Sequence, residues 1–210
     1  MEFNGKEIKS NKTLNELDKF VINFINKIEK FTDYVIVSGY VAIILGRSRA
    51  SEDVDLLIPK MEKLQFVKMF NFLLNNGYEC ANTSKAEEAY ELLNYHAIRF
   101  YEKGFPLPNI EFKIISRELD EYSFQNKIKV VMKEKTLFIS PLELQIPFKL
   151  ALAAEGTRKE LESDKDIEDA RHLYINFYDK INKEELDIFL DKLNVRDKFR
   201  LLKWKPKMSR

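Results

Sequence analysis

Apolar residues recur along the chain at two spacings, one helical and one alternating, and the balance between them changes near residue 139. Leu14, Leu17, Phe20, Val21, Phe24, Ile25 and Ile28 follow one another at helical intervals and predict one buried helix face. Thr13-Leu14-Asn15-Glu16 precedes them and reads as a capping box, with the Thr13 hydroxyl taking the N3 amide and Glu16 reaching back. Tyr34-Val35-Ile36-Val37 is a short β-rich run interrupted by Ser38-Gly39, and the apolar stretch 41–45 ends at Gly46, a helix stop. Val54-Asp55-Leu56-Leu57-Ile58 reads as a second strand closed by Pro59. Leu64, Phe66, Val67, Phe70, Leu73 and Leu74 predict a helix over 63–74, with Gly77 just past its end.

In the middle of the chain, Ser84-Lys85-Ala86-Glu87 opens a short helix. Residues 94–101 and 110–115 are expected to pair as strands around a connection at 104–109, and 128–132 with 136–139 to form a hairpin closed over Lys133-Glu134-Lys135. Beyond Ile139 only helical patterns follow. Ser140-Pro141-Leu142-Glu143 combines an N-cap, a proline at the first helical position and a capping glutamate. Helices are expected over 142–154, 163–177 and 182–193, then a short basic segment. No internal repeat is visible. The expected fold class is α+β: a mixed sheet flanked by helices over 1–139, then an all-helical part over 140–210.

Composition narrows the class. With 210 residues, 45% of them hydrophobic, the chain can bury a core that offsets the entropy of ordering, which excludes a disordered protein. No apolar run approaches the roughly 18 residues needed to span a bilayer, so no membrane partner is expected. The first residues, Met1-Glu2-Phe3-Asn4-Gly5-Lys6-Glu7, lack the apolar stretch of a secretory signal. The single cysteine, Cys80, cannot form an internal disulfide and fits a reducing, cytoplasmic setting. Net charge is only +1, yet seven bases (Arg196, Lys198, Arg200, Lys203, Lys205, Lys207 and Arg210) stand against one acid, Asp197, in 195–210, leaving the rest of the chain net acidic. Two readings of this run stay open. One is a solvated terminus; the other is a tail that holds an RNA acceptor by its phosphates, with Trp204 stacking on a base.

The chemistry concentrates between Val37 and Ile58. Asp53 and Asp55 are two apart at the start of a strand, so their side chains share a face. Paired carboxylates repel unless a cation neutralises them or they share a proton, and all-oxygen ligands suit Mg²⁺, with Mn²⁺ as a substitute. Ser38 and Gly39 lie where a strand turns into a helix, a place that favours an anion, and Gly39 lets a phosphate approach the backbone. A phosphate cradle and a carboxylate pair together outline a metal-nucleotide site. Other chemistries find no support: His96, His172 and Cys80 give no zinc-ligand spacing, and there is no nucleophile elbow, Walker loop or dinucleotide fingerprint.

In this order of parts the sequence resembles the nucleotidyltransferase superfamily, which shares the catalytic fold of DNA polymerase beta. The closer likeness is to small bacterial and archaeal nucleotidyltransferases related to abortive-infection toxins. It falls on Ser38-Gly39, on Arg49-Ala50-Ser51-Glu52-Asp53-Val54-Asp55 and on Lys165-Asp166-Ile167-Glu168-Asp169, and so spans most of the chain. Ser38 departs from it, standing where the family usually has the first glycine. The resemblance implies a third carboxylate on a neighbouring strand, and Glu111 is the candidate; the alternative is a surface ion pair with Lys113 on the same strand face. It also implies that Lys149, a lone charge in an apolar helix, faces the site, where the residues alone read as a snorkelling lysine. Lys165, Asp166 and Asp169 would take structural or nucleotide-contacting roles, against the bland alternative of a solvated helix face.

The expected activity is metal-dependent transfer of an NMP from an NTP to an acceptor hydroxyl, with release of pyrophosphate. Asp53, Asp55 and Glu111 are the expected catalytic and metal-binding residues, and Ser38, Gly39, Arg49, Ser51, Lys149, Lys165, Asp166 and Asp169 the expected nucleotide-binding ones. The rival is a non-catalytic module of the same fold that binds a nucleotide or a protein partner.

Overall fold

The structure is a computed structural model of the chain, and it describes residues 1–132, 135–156, 158–161 and 163–203. Nine strands among these residues form one mixed sheet. In spatial order they are β1 (Glu2–Phe3), β2 (Glu7–Ser10), β8 (Ile128–Met132), β9 (Lys135–Ile139), β3 (Val35–Val37), β4 (Asp53–Ile58), β7 (Phe105–Ile114), β6 (Ile98–Glu102) and β5 (Tyr78–Cys80). The central pair, β4 and β7, is parallel, and β4 is antiparallel to β3 on its other side.

Alternation along β4 and β7 sends Val54, Leu56, Ile58, Ile110 and Phe112 to one face, where all five are buried. The helices α1 (Glu16–Ile28), α3 (Lys63–Asn75) and α4 (Ala86–Leu93) pack there. Phe24 of α1 sets its ring 5.2 Å from Tyr78 and 6.2 Å from Phe112, and Phe70 of α3 meets Phe100 at 5.6 Å. Edge-to-face aromatic packing of this kind adds about 0.5–1.5 kcal/mol per pair beyond area burial. The opposite face carries Asp53, Asp55, Asn109, Glu111 and Lys113, and over it lie α5 (Glu118–Gln125) and α6 (Leu142–Leu152). The short α2 (Gly39–Ile44) links β3 to the loop before β4. After α6 and the single turn α7 (Arg158–Leu161), α8 (Lys165–Phe177) packs on α6 and α2, and α9 (Lys183–Lys192) packs on α6. The terminal α10 (Arg196–Arg200) runs into a 3-10 turn at Leu201–Lys203. One continuous core joins the sheet to these last helices, and no helix among the described residues is long and apolar enough to cross a membrane. The architecture is α+β.

Several local expectations shift. The cap of α1 is Asn15, not Thr13: Asn15 Oδ1 accepts the Asp18 amide at 2.9 Å and Asp18 Oδ2 accepts the Asn15 amide at 2.9 Å. The reason is the burial of Asp18, which also takes Lys12 Nζ at 2.7 Å and the Tyr40 hydroxyl at 2.8 Å. At α6 the cap is Pro141, and the expected helpers are engaged elsewhere. Ser140 shares a hydrogen bond with Ser123, and Glu143 accepts the Asn182 amide that begins α9. The connection before β7 shrinks because the strand starts at Phe105; its prolines, Pro106 and Pro108, sit in the outer part beside an irregularity at Tyr101/Glu102, where ladder donors are dispensable. Residues 94–97 turn rather than pair, so β6 begins only at Ile98. β1, β2, β5 and α5 have no counterpart in the sequence reading. They are short, or, for α5 with its Glu-Leu-Asp-Glu-Tyr-Ser-Phe-Gln run, lack an apolar stripe.

Asp18 has no exposed surface, and its loss would strand Lys12, the Tyr40 hydroxyl and the α1 cap together. Asp18→Ala is therefore expected to cost about 3 kcal/mol, read as a lower midpoint in urea unfolding. A cost below about 1 kcal/mol would mean that the cluster behaves as a surface pair.

Candidate active site

The parallel register of β4 and β7 sets Asp53 beside Asn109 and Asp55 beside Glu111, on one face of the sheet. Asp53 is exposed at the mouth of the strand, whereas Asp55 and Glu111 are mostly covered. Asn109 holds the entry to β4 by donating its backbone amide (2.8 Å) and its Nδ2 (3.1 Å) to the Glu52 carbonyl. Its Oδ1 is buried without a hydrogen-bond partner.

Lys113 lies two residues beyond Glu111 on the same face. Its register partner is Leu57, yet its ammonium reaches back to 2.6 Å from both Asp55 Oδ1 and Glu111 Oε2. Arg99 of β6, opposite Glu111, binds that carboxylate's other oxygen at 2.5 Å. Burial works against the charge on Glu111. Hydrogen bonds from Asp55 and Lys113, with the charges of Lys113 and Arg99, outweigh it and hold the group down at about 2. Burial dominates at Asp55 and pushes its carboxyl up, against the pull of Lys113.

Where β3 meets α2, Ser38 adopts φ 63° and ψ −136°, a conformation that side chains other than glycine's rarely take. Gln145, buried on α6, clamps it: the Ser38 amide donates to Gln145 Oε1 at 3.2 Å and Gln145 Nε2 donates to the Ser38 carbonyl at 2.9 Å. Gly39 has a packing reason to lack a side chain, since a Cβ there would stand 2.5 Å from Arg49 Nη2. The room expected for a phosphate is thus occupied by a guanidinium. Ser51 braces the same loop, its hydroxyl donating to the Asp53 carbonyl at 3.0 Å.

The later motif meets the earlier one through charge. Asp169 of α8 has no exposed surface and accepts a two-pronged contact from Arg49, Nε at 3.0 Å and Nη2 at 2.8 Å. It also binds Arg47, and Lys149 Nζ lies 3.0 Å away. Lys149 is buried and completes its coordination on Asp166 at 2.6 Å, so it neither snorkels nor points freely into the site. The side chain of Lys165 is exposed, and its carbonyl accepts from Arg47 at 2.7 Å. Desolvation opposes ionisation of Asp169, but the hydrogen bond from Arg49 and the charge of Lys149 prevail, and its carboxyl lies below the usual carboxylate range.

Between the sheet, α5 and α6 opens a cavity of about 260 Å³. Ser38, Asp55, Lys113 and Arg117 give it a polar side, and Phe148 and Leu152 of α6 an apolar one.

Three structures are among the solved ones that superpose on this arrangement. An antigenic nucleotidyltransferase-like protein from Paracoccidioides brasiliensis matches with a TM-score of 0.54 and 19% identity, over 92% of this chain and 95% of that one. The antibiotic-resistance factor ANT(2'')-Ia matches in solution with a TM-score of 0.52 and 15% identity, over 86% and 94% of the two chains. Its complex with adenylyl-2''-tobramycin matches with a TM-score of 0.52 and 12% identity, over 86% and 97%. The fold is that of the nucleotidyltransferases. No protein-family model and no curated protein sequence matches the chain.

Within this nucleotidyltransferase fold, a divalent ion has a defined place to be tested. Among the described residues no three acids, histidines or cysteines form a ready-made metal cluster; Asp53 is exposed, while Asp55 and Glu111 converge on Lys113. Asp55 and Glu111 do fit a hard cation, as all-oxygen donors already gathered around a stand-in positive ion, the Lys113 ammonium. Lys113, Arg99, Asn109 and Gln145 were not singled out as site residues from the sequence. Their available signals were the i, i+2 spacing around Glu111 and a lone amide between Leu144 and Ile146. Of the C-terminal bases, Arg196 binds Asp187 and Asp191, Lys198 binds Glu155 and Arg200 binds Asp197. Trp204, Lys205, Lys207 and Arg210 lie outside the described residues.

A carboxyl whose folded-state pKa is depressed adds stability that is present above its unfolded value near 4 and disappears as pH falls through the lower folded value. Asp169→Asn, which leaves three cations around a neutral amide, is expected to cost about 3–5 kcal/mol at pH 7. The difference from the parent should narrow as the pH is lowered below about 4. Denaturant unfolding at several pH values reads both effects; a gap that stays constant down to pH 3 would show that the ionised form of Asp169 carries no special stability.

Proposed function

We propose that this chain transfers a nucleotidyl group from an NTP to an acceptor hydroxyl, releasing pyrophosphate. The observation that carries the proposal is the pairing of Asp55 with Glu111 on one sheet face, with Asp53 at its mouth and a strained Ser38 turn beside the adjoining cavity. Strain of this kind costs on the order of 1–3 kcal/mol and persists where surrounding contacts enforce it, often at a site of function. Here Gln145 supplies the enforcement.

Asp53, Asp55 and Glu111 would hold Mg²⁺ or Mn²⁺, which when bound supplies Lewis-acid stabilisation of an in-line displacement and of the departing pyrophosphate. In this reading the phosphates would lie beside the first turn of α2, and the Arg49–Asp169 contact ties the loop after that turn to α8. Arg49, Arg47 and Lys149 act by positioning, since each is committed to a buried carboxylate. Glu111, on the acceptor side, either assists the ion or takes the hydroxyl proton. It is a poor base while the hydrogen bonds from Asp55 and Lys113 and the charges of Lys113 and Arg99 outweigh its burial and hold its carboxyl low. That the two motif runs meet in one ion cluster also supports kinship with the abortive-infection type of nucleotidyltransferase. The acceptor is a hydroxyl-bearing small molecule or an RNA. For RNA, the terminal run beyond Arg200 would make the phosphate contacts, because Arg196, Lys198 and Arg200 already have carboxylate partners.

One set of observations favours the rival, a non-catalytic nucleotide-binding or protein-binding module. The Ser38 amide is spent on Gln145, Gly39 is covered by Arg49 and Lys113 sits between the two acids. Pyrophosphate release separates the two readings. With Mg²⁺, each NTP and candidate acceptors, the parent should release pyrophosphate. Asp53→Asn and Asp55→Asn should each lower the rate by about a hundredfold or more, while Asp53→Asn, an exposed change, should leave the melting temperature almost untouched. Calorimetry that finds no nucleotide binding with Mg²⁺ would end the enzyme reading, and binding without release in every acceptor mixture would favour the module.

A further inference from the structure

The two ion clusters on this side of the sheet are built from the same groups but differ in freedom. In the Asp169 cluster the cation is as buried as the acid: the side chain of Lys149 is 3% exposed and that of Asp169 fully covered. In the other, the acids are fixed and the cation is loose. Asp55 and Glu111 are only 16% and 13% exposed and sit in a central parallel strand pair, whereas the Lys113 side chain is 39% exposed and borders the cavity beside α5 and α6. Its register partner is Leu57, and the ammonium makes its two carboxylate contacts.

We infer that Lys113 is an exchangeable internal cation: its ammonium occupies the place a divalent ion takes between Asp55 and Glu111, and it must leave when that ion binds. The inference rests on the metal-dependent reading proposed above and concerns the same site. Its basis is mutual exclusion. The oxygens that face Nζ at 2.6 Å are the ones an ion coordinated at about 2.1 Å needs, and an ammonium and a divalent ion cannot share so small a space. Two neighbouring carboxylates without any cation repel each other, so the ion-free protein gains from keeping the lysine in place. The exchange leaves room for the ammonium, because Lys113 borders the cavity that Ser38 and Asp120 also line. Arg99 stays on Glu111 through its other oxygen in either state. The divalent ion therefore binds against a competitor tethered to the chain, and its measured affinity is lowered by the free energy of that competition.

The test uses the full chain, without nucleotide, and Mn²⁺ as the probe. Titration calorimetry on the parent, Lys113→Met and Lys113→Gln should show Mn²⁺ binding about tenfold or more tighter in both variants than in the parent. Adding Asp55→Asn to Lys113→Met should abolish the gain, which places the ion at this pair. Melting curves give an independent readout: both variants should melt below the parent without metal and recover with Mn²⁺, while the parent responds less to the same concentration. Equal or weaker Mn²⁺ binding in the variants than in the parent would overturn the exchange and leave the proposed function standing. Absence of Mn²⁺ binding in all three proteins, with or without NTP, would overturn both.

Discussion

A carboxylate with no exposed surface governs the geometry of everything around the candidate site. Asp169 is introduced by α8, and its cations come from the loop after α2 and from α6. A buried charge is tolerated only when its partners are close and well directed, and removing one partner leaves the others uncompensated. That requirement makes the contact a positional constraint more than a source of net stability. The loop it grips, through Arg47 and Arg49, runs directly from α2 into Asp53. Helical part and acid-bearing strand are therefore aligned by charge beside the candidate site. Gly39 follows from the same constraint, because the guanidinium that reaches Asp169 passes where its Cβ would stand.

The Ser38 turn is held from the other side. A serine at φ 63° is unfavourable by itself, and the two hydrogen bonds from Gln145 to its backbone offset part of that cost. Gln145 is buried in an otherwise apolar stretch of α6, so its amide would itself be a liability without those bonds. Each group repairs the other's defect. The arrangement explains how a serine can stand where the resembling sequences usually have glycine: the backbone conformation that glycine adopts freely is here imposed by a partner on another element.

How much of this was legible along the chain depends on the range of the interaction involved. The strong periodicities, the α1 and α3 stripes, the β4 run and the helices beyond Ile139, are local and correspond to observed elements. Glu111 was a candidate only through the third acid that the resemblance implies, and the parallel register sets it beside Asp55. The partners were not legible. Lys149 read as a lysine that either snorkels or faces the nucleotide, because nothing near it in sequence announces Asp166 and Asp169 on the next helix. Thr13 lost the cap to Asn15 because the deciding group, Asp18, is fixed by Lys12 and by Tyr40 from another helix. Short edge strands such as β1 and β5 hold their place by pairing, which leaves almost no mark in a two- or three-residue sequence.

The contrast between the two lysines carries the functional argument furthest. Lys149 and Lys113 each bridge two carboxylates at hydrogen-bonding distance, so charge and chemistry alone do not distinguish them. Burial does. A lysine enclosed on all sides has no lower-energy place to put its charge and becomes part of the scaffold. A lysine with two-fifths of its side chain in contact with solvent can be hydrated as soon as something better occupies its partners. The same reasoning places Asp166 and Asp169 in the frame and is what singles out Asp55 and Glu111 for the proposed exchange, although all four are acids with a lysine beside them. Under the proposed exchange, an acid pair on a strand ladder, neutralised by a cation that can leave, would be a site prepared to receive another cation.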